Sequence, residues 1–509
     1  MRDSISKMIG CFFRFALLSA LLQIQVVESA EVLVDRNGSG DFTSLSDAVI
    51  QSLSNGESDI ITVKSGTYVS DQNVGEILTF IGSDDITIQG ENSVDRPIIV
   101  IQPNIDNMLS DNIDGVVIQM GGALTFENLI FIPSEAFTID ENIDDLFAVF
   151  NAGGEGNPSS LDLTFRNVLI THSDIDHQPV TSDGFDDPRF WDNTFRDDAI
   201  NVDANGPPDE PINLLLDNVV ITGYGQASDS DALVLDGPQI DCTITGGSRF
   251  TYIRRRGIFA YNVQSLTIEG SDENPIIVYG AGETLIRASA GLSNWKYLWC
   301  VGLNEGDNGI TTGFAARIDP NGGASVVAAN CIFSTAQYDG MFMNFDSESP
   351  LSYEFHNCTF HNVPQLIRFG YVGEAGPSEN VQMTVFDSIV DNADWTAPND
   401  GTYWAPEPTV VHYGDGDNTL AILTLNNLAY RTQTFVSSAS GSRTPNTENN
   451  IIEVDDFQFV SEELSRNTLN TFLVAANDAL LEGKGANGSY LGGARVESET
   501  TDVFEWPLY

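Results

Sequence analysis

An all-β solenoid, a right-handed parallel β-helix, is the fold class this sequence predicts, and three observations predict it. One eight-residue pattern recurs along the chain. Its centre is an Asn or Asp with alternating apolar residues on both sides, which reads as strand, bend, strand. A second family of short alternating strands falls between successive copies, and a unit that cannot bury its own apolar side must stack on its neighbours.

The first segment, residues 1–29, is a separate element. Arg2, Lys7 and Arg14 surround the apolar run Phe12 to Leu22, and small residues follow at Ser29 and Ala30. This is the pattern of a secretory signal peptide, and it places the protein outside the cytoplasm, in the extracellular space or the periplasm. No later stretch has about 18 consecutive apolar residues, so no membrane span is expected. Residues 30–110 read as an N-terminal cap and the first coils. A strand at Glu31–Asp35, a glycine turn, an amphipathic helix over Ser44–Ile50 and a strand at Asp59–Lys64 put a helix across the open end of the stack, where bare strand edges would aggregate.

Residues 111–430 carry the coils. The bend pattern appears as Leu124-Thr-Phe-Glu-Asn128-Leu-Ile-Phe131, and again around Asn167, Asn218, Asn330, Asn357, Asp387 and Asn427. Asn330 to Asn357 spans 27 residues and Asn357 to Asp387 spans 30, a coil length. An Asn tolerates the left-handed backbone of a bend, and its amide can bond the same residue one coil away, so an asparagine ladder is expected. The second strand family includes Ala199–Asp203, Ala232–Asp236, Gly257–Tyr261, Leu285–Ser289 and Leu366–Gly370. Residues 431–509 read as the last coils and a C-terminal cap.

Composition bounds the chemistry. The 509 residues include 73 Asp or Glu against 22 Lys or Arg, a formal charge of −51, with 41% hydrophobic residues to supply a core. Such a surface repels phosphate chains, and no basic stripe offsets it, which excludes nucleic acid as a partner. Lysine is scarce and Asp abundant, the balance of a protein kept soluble in salty water. Four cysteines follow the leader: Cys242, Cys300, Cys331 and Cys358. Both buried free thiols and disulfides are open to them, and no CxxC spacing marks a zinc site.

The bend pattern, the second strand family, the entry at Glu31–Tyr68 and the exit at Asn470–Gly493 together resemble the pectin-lyase-like β-helix superfamily, in particular its secreted bacterial members. The resemblance covers most of the mature chain. It implies a groove along one sheet as the place to look for chemistry, and a polysaccharide as the partner of a monomeric protein. If Ile200, Leu233, Ile258, Ile286 and Ile367 point inward, then Asn201, Val234, Phe259, Arg287 and Arg368 point outward. Arg317 joins this row, Arg256 precedes it, and Lys296 lies close in sequence, so Phe259, Arg256, Arg287, Lys296, Arg317 and Arg368 are the candidate substrate-binding residues. Arginines with an aromatic surface can hold carboxylated or sulfated sugars; the same arginines can equally pair with the surplus carboxylates.

A further segment, Thr181-Ser-Asp183-Gly followed by Asp197-Asp198-Ala-Ile-Asn-Val, resembles the polygalacturonase family. Carried over residue by residue, Asp198 or Asp197 protonates the leaving oxygen, while Asp183 and the remaining Asp activate water in an inverting hydrolysis. Asp183, Asp197 and Asp198 are therefore the candidate catalytic residues. Asp183 lies 14 residues before Asp197, a short interval for that family, and its Gly-His-Gly and Arg-Ile-Lys segments have no counterpart here. The alternative for Asp197-Asp198 is a coil strand with acids at its preceding turn. A lyase reading uses Arg256, Arg287, Lys296 or Arg317 as base. No cofactor is required, and the Asp-rich loop offers hard oxygen ligands for Ca²⁺. Cleavage of an acidic polysaccharide, hydrolysis slightly ahead of elimination, is the leading expectation; a non-catalytic carbohydrate-binding or structural β-helix protein is its rival.

Overall fold

The structure is a computed structural model. It describes residues 30–492 except 56, 70–74, 104–113, 135–144, 151–159, 172–197, 205–209, 225–229, 304–311, 319–324, 338, 344–350, 370–380, 397–407, 414–421, 439–446, 466 and 475–490. The expected signal peptide, together with Asp183 and Asp197, lies outside the described residues.

Every strand pairing between coils is parallel, and each strand meets the strand one coil before and one coil after it. The chain thus winds as a right-handed parallel β-helix, the hand that parallel crossovers adopt. Three sheets run along its axis with neighbouring coils about 4.8 Å apart. Sheet I contains the second strand family: Leu78–Gly82, Val116–Met120, Phe147–Phe150, Ile200–Asp203, Asp231–Asp236, then the first halves of Arg256–Glu269 and Thr284–Lys296, and Phe314–Ile318 onward to Thr434–Ser438. Sheet II begins at Ala30–Val34 and takes the residues before each Asn bend; sheet III takes those after it.

Strand alternation fills the interior. Leu124, Phe126, Leu163, Phe165, Leu214 and Leu216 from sheet II, Phe131 and Ile170 from sheet III, and Ile118, Phe147 and Ile200 from sheet I are all buried in one continuous core. Aromatic residues stack from coil to coil, Phe126 on Phe165 at 5.1 Å and Phe333 on Phe360 at 5.2 Å between centroids. The helix Leu45–Leu53 closes the N-terminal end through Leu45, Ala48 and Val49, and Ser44 caps it by accepting a bond from the Asp47 N–H. Buried Glu76 accepts from the Ser44 and Ser46 hydroxyls and the Ser46 N–H, which ties that helix to the first strand of sheet I.

The asparagine ladder is present in two stretches. Asn167 Nδ2 donates to Asn128 Oδ1 at 2.7 Å and Asn218 to Asn167 at 3.2 Å; Asn357 donates to Asn330 at 2.6 Å, Asn427 to Asp387 at 2.9 Å and Asn450 to Asn427 at 2.8 Å. All these residues have φ between 50 and 57°, the left-handed bend that the repeat predicted. Between the stretches, Gly246, Gly247 and Tyr297 take the left-handed positions, so the ladder is interrupted where the repeat loses its Asn.

Beyond Glu453 the chain returns over the outer face of sheet III. Phe472 and Leu473 pack with Ile277, Trp299 and Ile332, while Phe457 and Leu491 pack with Ile389 and Ala429. Cys242, Cys300, Cys331 and Cys358 are free thiols buried in the core. Burial raises the pKa of Cys242, Cys300 and Cys358, which keeps these thiols protonated and inert.

Candidate functional site

The register of sheet I sets corresponding residues of successive coils side by side. Asn201 pairs with Val234, Val234 with Phe259, Phe259 with Arg287, Arg287 with Arg317, Arg317 with Phe342, Phe342 with Arg368 and Arg368 with His412. The sequence-predicted row is therefore a row in space, extended by Phe342 and His412. Sequence reasoning missed Phe342 because Met341-Phe342-Met343 is apolar throughout and offers no alternation to read.

Phe259, Arg287 and Arg317 are half-buried. The Arg287 guanidinium lies 5.1 Å from the centre of the Phe259 ring, inside cation–π range. Two residues along the strand, a parallel row holds Asp203, Asp236, Tyr261 and Ser289 in consecutive register. Tyr261 is 37% exposed and tilts toward Phe259 with centroids 6.0 Å apart, so the two rings form one small platform. Burial, and then the neighbouring Asp203 carboxylate, raise the pKa of Asp236. Where this platform sits, the chain enters sheet I through the shortest connections: Arg254–Arg255 before one strand and Gly282–Glu283 before the next.

Two predicted site residues stand differently from their expectation. Arg256 is buried, its Nε and Nη2 both donating to Asp231, and its guanidinium lies 3.6 Å from the Phe259 ring centre. It therefore supports the underside of the platform and does not face solvent. Lys296 belongs to sheet II, because Thr284–Lys296 turns the corner between sheets partway along; it pairs there with Glu269 at 3.2 Å. Trp295 is fully buried in the core for the same reason.

Asp198 occupies the turn before its sheet I strand, and its carboxylate accepts a bond from the Asp231 N–H at 2.7 Å. The same place in other coils holds Asp114, Asp145 and Asp231, and Asp145 accepts from Asn201 Nδ2 at 2.8 Å. Buried Asp231 in turn accepts from the Arg256 N–H at 2.9 Å. An acid before the strand thus serves to bond the next coil, and the motif Asp-Ala-Ile-Asn is one instance of a repeated structural device. Among the described residues no three carboxylate, imidazole or thiol side chains converge as metal ligands, and most of the Asp-rich loop expected to offer ligands to Ca²⁺ lies outside those residues. Likewise no described helix is long and apolar enough to cross a membrane.

No family model matches the sequence, and no curated protein matches it. Among solved structures the chain is similar to pectate lyase Pel9A, at 12% identity and TM-score 0.38, over 92% of this chain and 96% of that one. It is also similar to the A-module of mannuronan C-5 epimerase AlgE6 from Azotobacter vinelandii, at 12% identity and TM-score 0.43, over 81% and 94%. A third similarity is to a PL6 alginate lyase complexed with trisaccharide, at 13% identity and TM-score 0.28, over 83% and 90%. Strand pairing, coil path and the Asn ladder of the chain itself establish what it is in fold: a right-handed parallel β-helix.

Proposed function

We propose that this is an exported protein that binds an acidic polysaccharide along sheet I and cleaves it. The observation that carries the reading is the in-register row Phe259, Arg287, Arg317, Phe342, Arg368 and His412. In a protein of formal charge −51, Arg287 and Arg317 in adjacent coils, with Arg368 two coils further along the same row, give an extended anionic chain a matching series of contacts. Ring faces at Phe259 and Tyr261 supply apolar surface against which sugar rings can lie.

Elimination fits this row better than hydrolysis. Removing the proton beside a uronate carboxylate requires that the carboxylate charge be neutralised, and Arg287 and Arg317 are placed to do that. Hydrolysis would rest on Asp183, Asp197 and Asp198, of which Asp198 is engaged with the Asp231 backbone.

The test is incubation of the purified protein with anionic and neutral polysaccharides, following new reducing ends together with the absorbance of unsaturated uronates. Both signals rising together would mark elimination, and Arg287→Ala and Arg317→Ala should each lower activity about 10- to 100-fold, the loss of one charge-assisted bond. Reducing ends without absorbance would mark hydrolysis. Binding without either signal would leave a non-catalytic carbohydrate-binding protein, and no binding at all would overturn the reading.

A further inference from the structure

The outer face of sheet I is polarised along the helix axis. Among the described residues, the strands from Leu78 to Asp236 hold Thr79, Ile81, Val117, Gln119, Ala148, Phe150, Asn201, Asp203, Val234 and Asp236 at these register positions, with Val117, Ala148 and Val234 buried and Asp203 and Asp236 partly exposed. No cation is among them, and the charges are two carboxylates stacked in adjacent coils. From Arg256–Glu269 onward the same row runs through Arg287, Arg317 and Arg368. The change of sign takes place across the Phe259–Tyr261 platform, where Asp236 pairs in register with Tyr261, and Phe259 with Arg287.

A uniformly anionic chain lying along this face would meet Arg287 and Arg317 on one side of the platform and Asp203 and Asp236 on the other. Like charges opposed in this way weaken an interface, and repulsive placement is a common means of specificity. Uncharged sugar units meet no such penalty, since their hydroxyls can donate to the same carboxylates. Resting on the reading above, we infer that the face selects a polysaccharide of blockwise charge, with anionic units over the Arg287–Arg368 half and neutral units over Asp203 and Asp236, which act as specificity residues.

The experiment uses the full chain and three oligosaccharides of equal length: one wholly uronate, one neutral, and one joining a neutral block to a uronate block. Calorimetry should give the block oligomer the highest affinity. The double variant Asp203→Asn, Asp236→Asn should raise affinity for the wholly uronate oligomer about tenfold at low salt and leave the block oligomer nearly unchanged. A control of equal charge change on sheet II, Glu354→Gln with Glu448→Gln, should change neither. Equal affinity for uronate and block oligomers, unmoved by the sheet I double variant, overturns the inference while the binding reading survives. An equal gain from the control overturns it as well, since the effect would then be one of net charge. If no oligomer binds, or Arg287→Ala leaves binding intact, the parent reading fails and the inference with it.

Discussion

At the scale of single residues, burial decides what a charged group does. Arg256 and Asp231 are both buried, and each satisfies the other. Asp231→Asn should therefore cost about 3–5 kcal/mol, because it leaves a buried guanidinium without its counter-charge. Exchange of both partners for Met and Leu should cost much less, and denaturant midpoints separate the two outcomes. His361 makes the same point through pH. It sits on the outer face of sheet III beneath Phe459, with Nδ1 3.2 Å from Ser334 Oγ. Burial first and the Arg431 charge second pull its pKa from 6.5 down to about 4. Below about 6.5 the unfolded chain takes up a proton that the folded protein refuses, so stability falls as pH drops from there toward about 4. The loss amounts to about 3 kcal/mol, and it should be absent in His361→Asn when the two pH profiles are compared by urea unfolding.

At the scale of elements, the ladder contains a flaw that can be mended. Asn357 Oδ1 is buried without a partner, and the residue one coil beyond is Asp387, which cannot donate. Asp387→Asn would supply that donor and still accept from Asn427, so stability should rise by about 0.5–1.5 kcal/mol, read as a higher thermal midpoint. In contrast, Asn357→Ala should cost about 1–3 kcal/mol, since it loses the bond to Asn330 and places a Cβ residue at φ 51°. Asn357→Gly should cost less, because glycine accepts that φ and only the side-chain bond is lost. The returning C-terminal segment depends on apolar contact with sheet III. Phe472→Ala, which removes a ring 5.8 Å from that of Trp299, should cost about 3 kcal/mol and expose that segment first to proteolysis.

For the whole molecule, the charge of −51 sets two salt effects of opposite sign. Screening relieves self-repulsion, so the thermal midpoint should rise with salt. Affinity for an anionic polysaccharide should fall over the same range, because the attraction of Arg287 and Arg317 is screened with everything else. Parallel rise of both would count against the cationic row as the binding surface. Alternation within a strand is a local property, so the sequence by itself determined that the chain coils, where Asn bends it, and that Phe259, Arg287 and Arg317 share an outward face. It did not determine which sheet a residue joins. Thr284–Lys296 is one continuous strand, yet it turns a corner where the inward positions change from Ile286 and Ala288 to Ser293 and Trp295, and this sends Arg287 to sheet I and Lys296 to sheet II. Nor could it assign Arg256 to Asp231 or Asp198 to the next coil's backbone, since those partners lie 25 and 33 residues away. Only the stacking of coils brings such groups together, because register between coils is fixed by the packing of the shared core and not by any local pattern.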